Sequence, residues 1–208
     1  MAELPPGPQD VPASRVHSLS DGVFAIVMTL LVLELRVPEQ VRGLGQVARD
    51  ARLAGELVTL APRLVIYAFT FIIAGLNWLS HVRFQRYVRR TDQGLALRNV
   101  VYLMLVSLLP FSSGLIGAYG DTPAGVATYA LNQVLIGAAF LWMLRHAVQH
   151  GLMAPDWRAQ RLGERALVNL GGFVLMAVLA FVRPSLAWLA PFAPFVGRLL
   201  HRAVRKAW

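Results

Sequence analysis

The chain has 208 residues, 56% of them hydrophobic and 15% charged, with a mean hydropathy of +0.54. A soluble domain of this size carries roughly 25% charge, so the composition points to a membrane. The formal net charge of +9 does not signal nucleic acid, because the basic residues lie at predicted helix ends without a recognition motif; the absence of cysteine excludes disulfides and thiolate metal sites.

In chain order, "MAELPPGPQDVPAS" is Pro-rich and polar and lacks the basic start of a signal peptide, so residues 1–14 are expected to be a disordered tail. Six spans are predicted, at residues 17–36, 64–83, 99–119, 123–145, 166–182 and 184–200. The charge-free runs Leu64–Val82, Asn99–Gly120 and Thr122–Leu144 each exceed the roughly 18 apolar residues that cross a bilayer. The first span qualifies only if Asp21 enters the membrane. The fifth is slightly short, and the sixth is interrupted by Pro191 and Pro194, so it is bent or partly interfacial.

Between the first two spans, Val47, Leu53, Leu57 and Leu60 recur at helical spacing among charges, which predicts a short amphipathic helix at the outer interface. "YGDTP" joins spans three and four as an antiparallel pair. "HGLMAPDWRAQRLGE" is a polar inner loop, and no internal repeat is evident, which counts against a transporter of two inverted halves. Fourteen of the twenty Lys and Arg residues fall on the side of the two termini in this topology. The expectation is an all-α, six-helix, multi-pass protein with cytoplasmic N- and C-termini.

Enzyme chemistry finds no support. The five histidines form no metal-binding spacing; His146 and His150 are four apart but have no carboxylate motif beside them. There is no phosphate loop, nucleophile elbow or paired intramembrane carboxylate, so no metal and no cofactor is expected. A Thr-Val-Gly-Tyr-Gly filter is also absent, so any conduction runs along helix side chains.

Polar residues do coincide in depth. Arg15, Ser20 and Asp21 lie near the inner end of span one, Trp78 and His81 near that of span two, and Asn99 at the start of span three. Burying Asp21 alone costs about 2.5–3.5 kcal/mol. Donation from His81, Trp78, Arg15 or Ser20 relieves that cost and makes Asp21 a structural clasp; the alternative is a carboxylate that snorkels to interfacial water. On the other side of span one, Ile26, Leu30 and Leu33 form a stripe within roughly 40° of Ile26, with Thr29 about 60° away. Asp21 is displaced by about 140°, back into the subunit, and Leu31 is likewise about 140° off the stripe. From pattern alone, such a stripe faces lipid or packed protein more often than a pore.

"RVHSLSDGVFAIVMTLLVLELRVPE", "LNWLSHVRF" and "RNVVYLMLVSLLPFSSGLIGAYGD" together resemble the prokaryotic branch of the transmembrane protein 175 potassium-channel family. Its first-helix signature, Arg-x3-Phe-Ser-Asp-x3-Ala running on into Thr-Leu-Leu, is matched by Arg15, Ser20, Asp21, Ala25, Thr29, Leu30 and Leu31, with Leu19 in place of the Phe. Trp78 and His81, Asn99, and Leu109 to Phe111 match the later motifs. The resemblance implies a homotetramer in the plasma membrane that passes K+ and similar monovalent cations, without a P-loop. It places a hydrophobic constriction at Ile26, a threonine layer at Thr29 and a second apolar layer at Leu33, with Leu30 also lining the pore. Glu34 reads either as a cation-concentrating group or as a surface charge. A small proton-coupled transporter using Asp21 and His81 is the alternative.

Overall fold

The computed structural model describes residues 11–37, 45–187 and 190–192. Helix α1 (Ala13–Leu30) follows Pro12 and tightens into a 3-10 turn over Leu31–Glu34. It starts inside the stretch expected to be a disordered tail. The Val11 N–H donates to the Thr91 carbonyl at 2.8 Å, which ties the entry of α1 to the connection between the next two helices. Residues 1–10 of that tail lie outside the described residues.

Helix α2 (Gln46–Tyr87) is 42 residues long, about 63 Å at 1.5 Å per residue and so about twice the hydrocarbon thickness. The expected separate amphipathic helix is therefore the first part of α2. Pro62 sits inside the helix without ending it. Ala, Leu, Arg and Glu dominate the preceding stretch, and their helix propensity outweighs the one hydrogen bond that Pro62 lacks. An Arg52–Glu56 pair at 2.7 Å, one turn apart, adds to it.

The third span is two helices, α3 (Gln93–Ser107) and α4 (Leu109–Tyr119), joined at Leu108. Sequence reading predicts one. Pro110 has no N–H for the Val106 carbonyl and its ring crowds that carbonyl, so the helix restarts with the proline in its first turn. Asp92 caps α3 by accepting from the Leu95 N–H at 2.6 Å, and Thr122 caps α5 (Pro123–Gln149) by accepting from the Gly125 N–H at 3.1 Å. A Cβ at Gly125 would collide with the Tyr119 carbonyl, which explains the glycine after the tight turn from α4 into α5.

A 3-10 turn (Pro155–Gln160) leads to α6 (Leu162–Val182), and α7 (Pro184–Ala187) and a 3-10 turn (Ala190–Phe192) follow. Among the described residues, five helical segments are long and apolar enough to cross a membrane: Ala13–Glu34, Gln46–Tyr87, Gln93–Tyr119, Pro123–Gln149 and Leu162–Val182. The predicted sixth span begins in α7, and most of it lies outside the described residues.

Helix α5 is the centre of the bundle, packed against α3, α4 and α6. One apolar cluster joins Phe24 and Val27 of α1 to Phe84, Tyr102, Phe140 and Met143; another joins Ile116 and Tyr129 to Phe173 and Met176. Leu170 of α6 packs onto Gly137, where an added Cβ would come within 2.9 Å of its Cδ1. By contrast, α1 turns one whole side away from the subunit.

Candidate functional site

The polar layer gathers around Ser20, which is fully buried. Its hydroxyl donates to the Val16 carbonyl at 2.8 Å, and it accepts from Asn99 Nδ2 at 3.1 Å and Gln85 Nε2 at 3.3 Å. One proton and two lone pairs are then all engaged. A neutral hydroxyl that meets all three partners is far cheaper to bury than a carboxylate, so Ser20 takes the interior position and not Asp21.

Asp21 is exposed on the single subunit. Its Oδ1 accepts from the Trp78 indole N–H at 2.9 Å. The expectation that its carboxylate points back into the subunit is therefore corrected: it lies at the surface between α1 and α2. Of the donors considered for it, Trp78 is in place, whereas Ser20 and His81 bond elsewhere and Arg15 is exposed on α1.

His81 is fully buried, its Nε2 lies 3.0 Å from Gln85 Nε2, and its ring stacks on Tyr102 with centroids 4.9 Å apart and planes 10° apart. The amide donor makes Nε2 the acceptor and leaves the ring proton on Nδ1, which has no partner among the described residues. Phe24 and Phe84 close the apolar box around the imidazole. Gln85 and Tyr102 are the members that sequence reading misses. Gln85 follows His81 by one helical turn, which was a usable signal; Tyr102 has none, because only packing brings α3 to that ring.

On the outward side of α1, Ile26 is 59% exposed and Leu33 69%, with Leu30 and Thr29 exposed between them. Phe24, Val27 and Leu31 form the opposite, buried side. Leu31 is 1% exposed and is a core residue, so it does not serve as a neutral comparison for the stripe. The Thr29 hydroxyl donates to the Ile26 carbonyl at 2.8 Å, so its remaining lone pairs face outward from the helix.

A second polar contact sits at the Arg-rich end. His146 Nε2 lies 3.0 Å from both carboxylate oxygens of Asp92, and the His146 and His150 rings are 3.9 Å apart at their centroids. The carboxylate that sequence reading does not find beside these histidines arrives from another helix. Burial pushes the Asp92 carboxyl up, but the Leu95 N–H and His146 outweigh this and hold it below its usual value. No group of three or more His, Cys, Asp or Glu side chains is arranged for a metal among the described residues.

Residues 15–110 match the family described as "Endosomal/lysosomal potassium channel TMEM175". A protein of Streptomyces collinus named as a potassium channel is 31% identical over 188 residues, covering 86% of this chain and 87% of that one. One of Chamaesiphon minutus, also named as a potassium channel, is 32% identical over 143 residues, covering 67% and 68%. The crystal structure of a Chamaesiphon minutus protein, described as a homologue of the lysosomal potassium-selective channel TMEM175, is similar with a TM-score of 0.73 at 25% identity, covering 91% of this chain and 97% of that one.

Proposed function

Because this chain belongs to the TMEM175 family, we propose that it is a potassium-permeable channel of the cell membrane. It works without a P-loop, as a homotetramer of six-span subunits with both termini cytoplasmic, and the first helix of each subunit lines the pore. The observation that carries this reading is the two-sidedness of α1. One side is in the core through Phe24, Val27 and Leu31, and the other leaves Ile26, Thr29, Leu30 and Leu33 exposed among the described residues.

Four Ile26 side chains meeting on an axis close a pore by dewetting, since none of them replaces water lost by an ion. Thr29, with its proton directed into its own helix, offers lone pairs to a cation one turn further out. Leu33 forms the second apolar layer. Hydroxyl rings lack the dense carbonyl cage of a filter loop, so selectivity for K+ over Na+ is modest. The carrier reading is not favoured: Asp21 bonds to Trp78 and His81 to Gln85, with no hydrogen bond between the two supposed relay groups.

Flux into liposomes containing the purified protein tests the assignment. K+, Rb+ and Cs+ run down their gradients without ATP and persist when the proton gradient is collapsed. Flux that stops on that collapse moves the assignment to a proton-coupled carrier.

A further inference from the structure

A cavity of about 40 Å³ opens between α2, α5 and α6 near the Arg-rich end of the bundle. Arg83 of α2 and Arg165 of α6, both exposed, line it, with Asn77, Ser80 and Asn169 adding polar groups, Ile136, Phe140 and Leu162 forming its apolar part, and no carboxylate contributing. One water-sized group needs about 10–15 Å³, so the space suits about three such groups, enough for the two non-bridging oxygens of a phosphodiester. Neither arginine has a carboxylate partner among the described residues. Nearby cations are engaged within the chain: Arg98 stacks on Trp142 at 4.5 Å and donates to the Gly94 carbonyl, and Arg161 pairs with Glu164. Asn77 uses one amide hydrogen on Gln133 at 3.2 Å and keeps the other.

The surroundings of the cavity indicate where the phosphate comes from. Ile72, Leu76, Leu79 and Arg83 fall on one stripe of α2, all within about 60° at 100° per residue, and the three apolar residues are exposed. An aliphatic track that runs down a membrane helix and ends at a guanidinium, beside a cavity that carries a second guanidinium, fits a lipid tail followed by its headgroup. The cavity at the opposite end differs. It holds about 300 Å³ and also carries two arginines, Arg36 and Arg63, but it includes the Glu34 carboxylate and so lacks a purely cationic lining.

We infer that the cavity between Arg83 and Arg165 binds the phosphate of an anionic phospholipid whose acyl chain lies along Ile72, Leu76 and Leu79. The site joins α6 to α2 through the lipid, and it does not depend on which residues line the pore. Native mass spectrometry of the full-length protein, titrated separately with phosphatidylglycerol, phosphatidylcholine and inorganic phosphate, tests it. Phosphatidylglycerol is retained at least tenfold more tightly than phosphatidylcholine. Arg83→Gln with Arg165→Gln removes that preference. Asn169→Phe, which fills the cavity and keeps both charges, does the same and covers the case in which the double variant fails to fold. Arg86→Gln with Arg145→Gln, which neutralises two exposed rim cations outside the cavity, leaves the preference in place. Equal weakening by the rim pair, or equal retention of the two lipids, overturns the site in favour of diffuse attraction. Inorganic phosphate held as tightly as phosphatidylglycerol overturns the lipid as its occupant.

Discussion

Asn99 holds its side-chain amide 3.1 Å from the hydroxyl of Ser20, 79 positions earlier in the chain. Gln85 donates to the same oxygen, so one serine hydroxyl joins α1, α2 and α3 at a single depth. All three residues are buried, and in that setting no water replaces a lost partner.

Ser20→Ala therefore leaves one N–H of Asn99 and one of Gln85 buried without its acceptor, while Gln85 keeps its bond to His81. Each unsatisfied group costs about 1–3 kcal/mol, so this variant is expected to be destabilised by at least about 2 kcal/mol. Thermal unfolding in detergent measures it. An unchanged melting temperature removes Ser20 from the centre of the network.

Asp21 behaves differently because its bond to Trp78 is exposed on the subunit. Asp21→Ala is expected to lower stability by only about 0.5–1.5 kcal/mol and to reduce assembly of the proposed oligomer more than it alters ion preference. Trp78→Phe has the same phenotype in weaker form, and Asp21→Asn, which keeps the acceptor oxygen, restores assembly. Gel filtration beside liposome flux separates these effects. A stable oligomer of Asp21→Ala with changed selectivity places Asp21 on the pore.

The α1 stripe is tested by residues that do not hold the core. Ile26→Ala or Ile26→Asn widens or wets the proposed constriction, so cation flux rises and discrimination weakens. Thr29→Val keeps the shape and removes the hydroxyl, so K+ preference falls in a folded protein. Val178, exposed on α6, is the comparison, and Val178→Ala leaves flux unchanged. Leu31→Ala instead costs about 2–5 kcal/mol, because it truncates a core side chain. Equal small effects at Ile26, Thr29 and Val178 assign the stripe to lipid or to protein packing.

Acid sensitivity is expected at the contact between α3 and α5. The folded Asp92 carboxyl titrates below its usual value. Its ionised form therefore contributes stability that is complete above the unfolded pKa of about 3.9 and is lost as pH falls through the folded value. Asp92→Asn keeps a cap oxygen for Leu95 but removes the charge that faces His146. The variant should melt below wild type at neutral pH, and the difference should shrink from about pH 4 downward. A difference that does not vary with pH rules out the charge as its source.

Much of this protein was legible in the sequence because a membrane reads composition directly. Charge-free runs such as Leu64–Val82 must be helical in hydrocarbon, where every backbone group needs an internal partner. The Ile26, Thr29 and Leu33 periodicity marked one side of α1 from residue spacing alone. Tertiary structure decided what lies opposite each side. It buried Ser20 and left Asp21 at the surface, because a neutral hydroxyl can be saturated inside the bundle at less cost than a carboxylate can be desolvated. It put Leu31 in the core, Tyr102 on His81 and Asp92 on His146, contacts that join separate helices and so leave no local pattern. Helical periodicity says which residues share a side, but only the packing of one helix on another determines which side is covered.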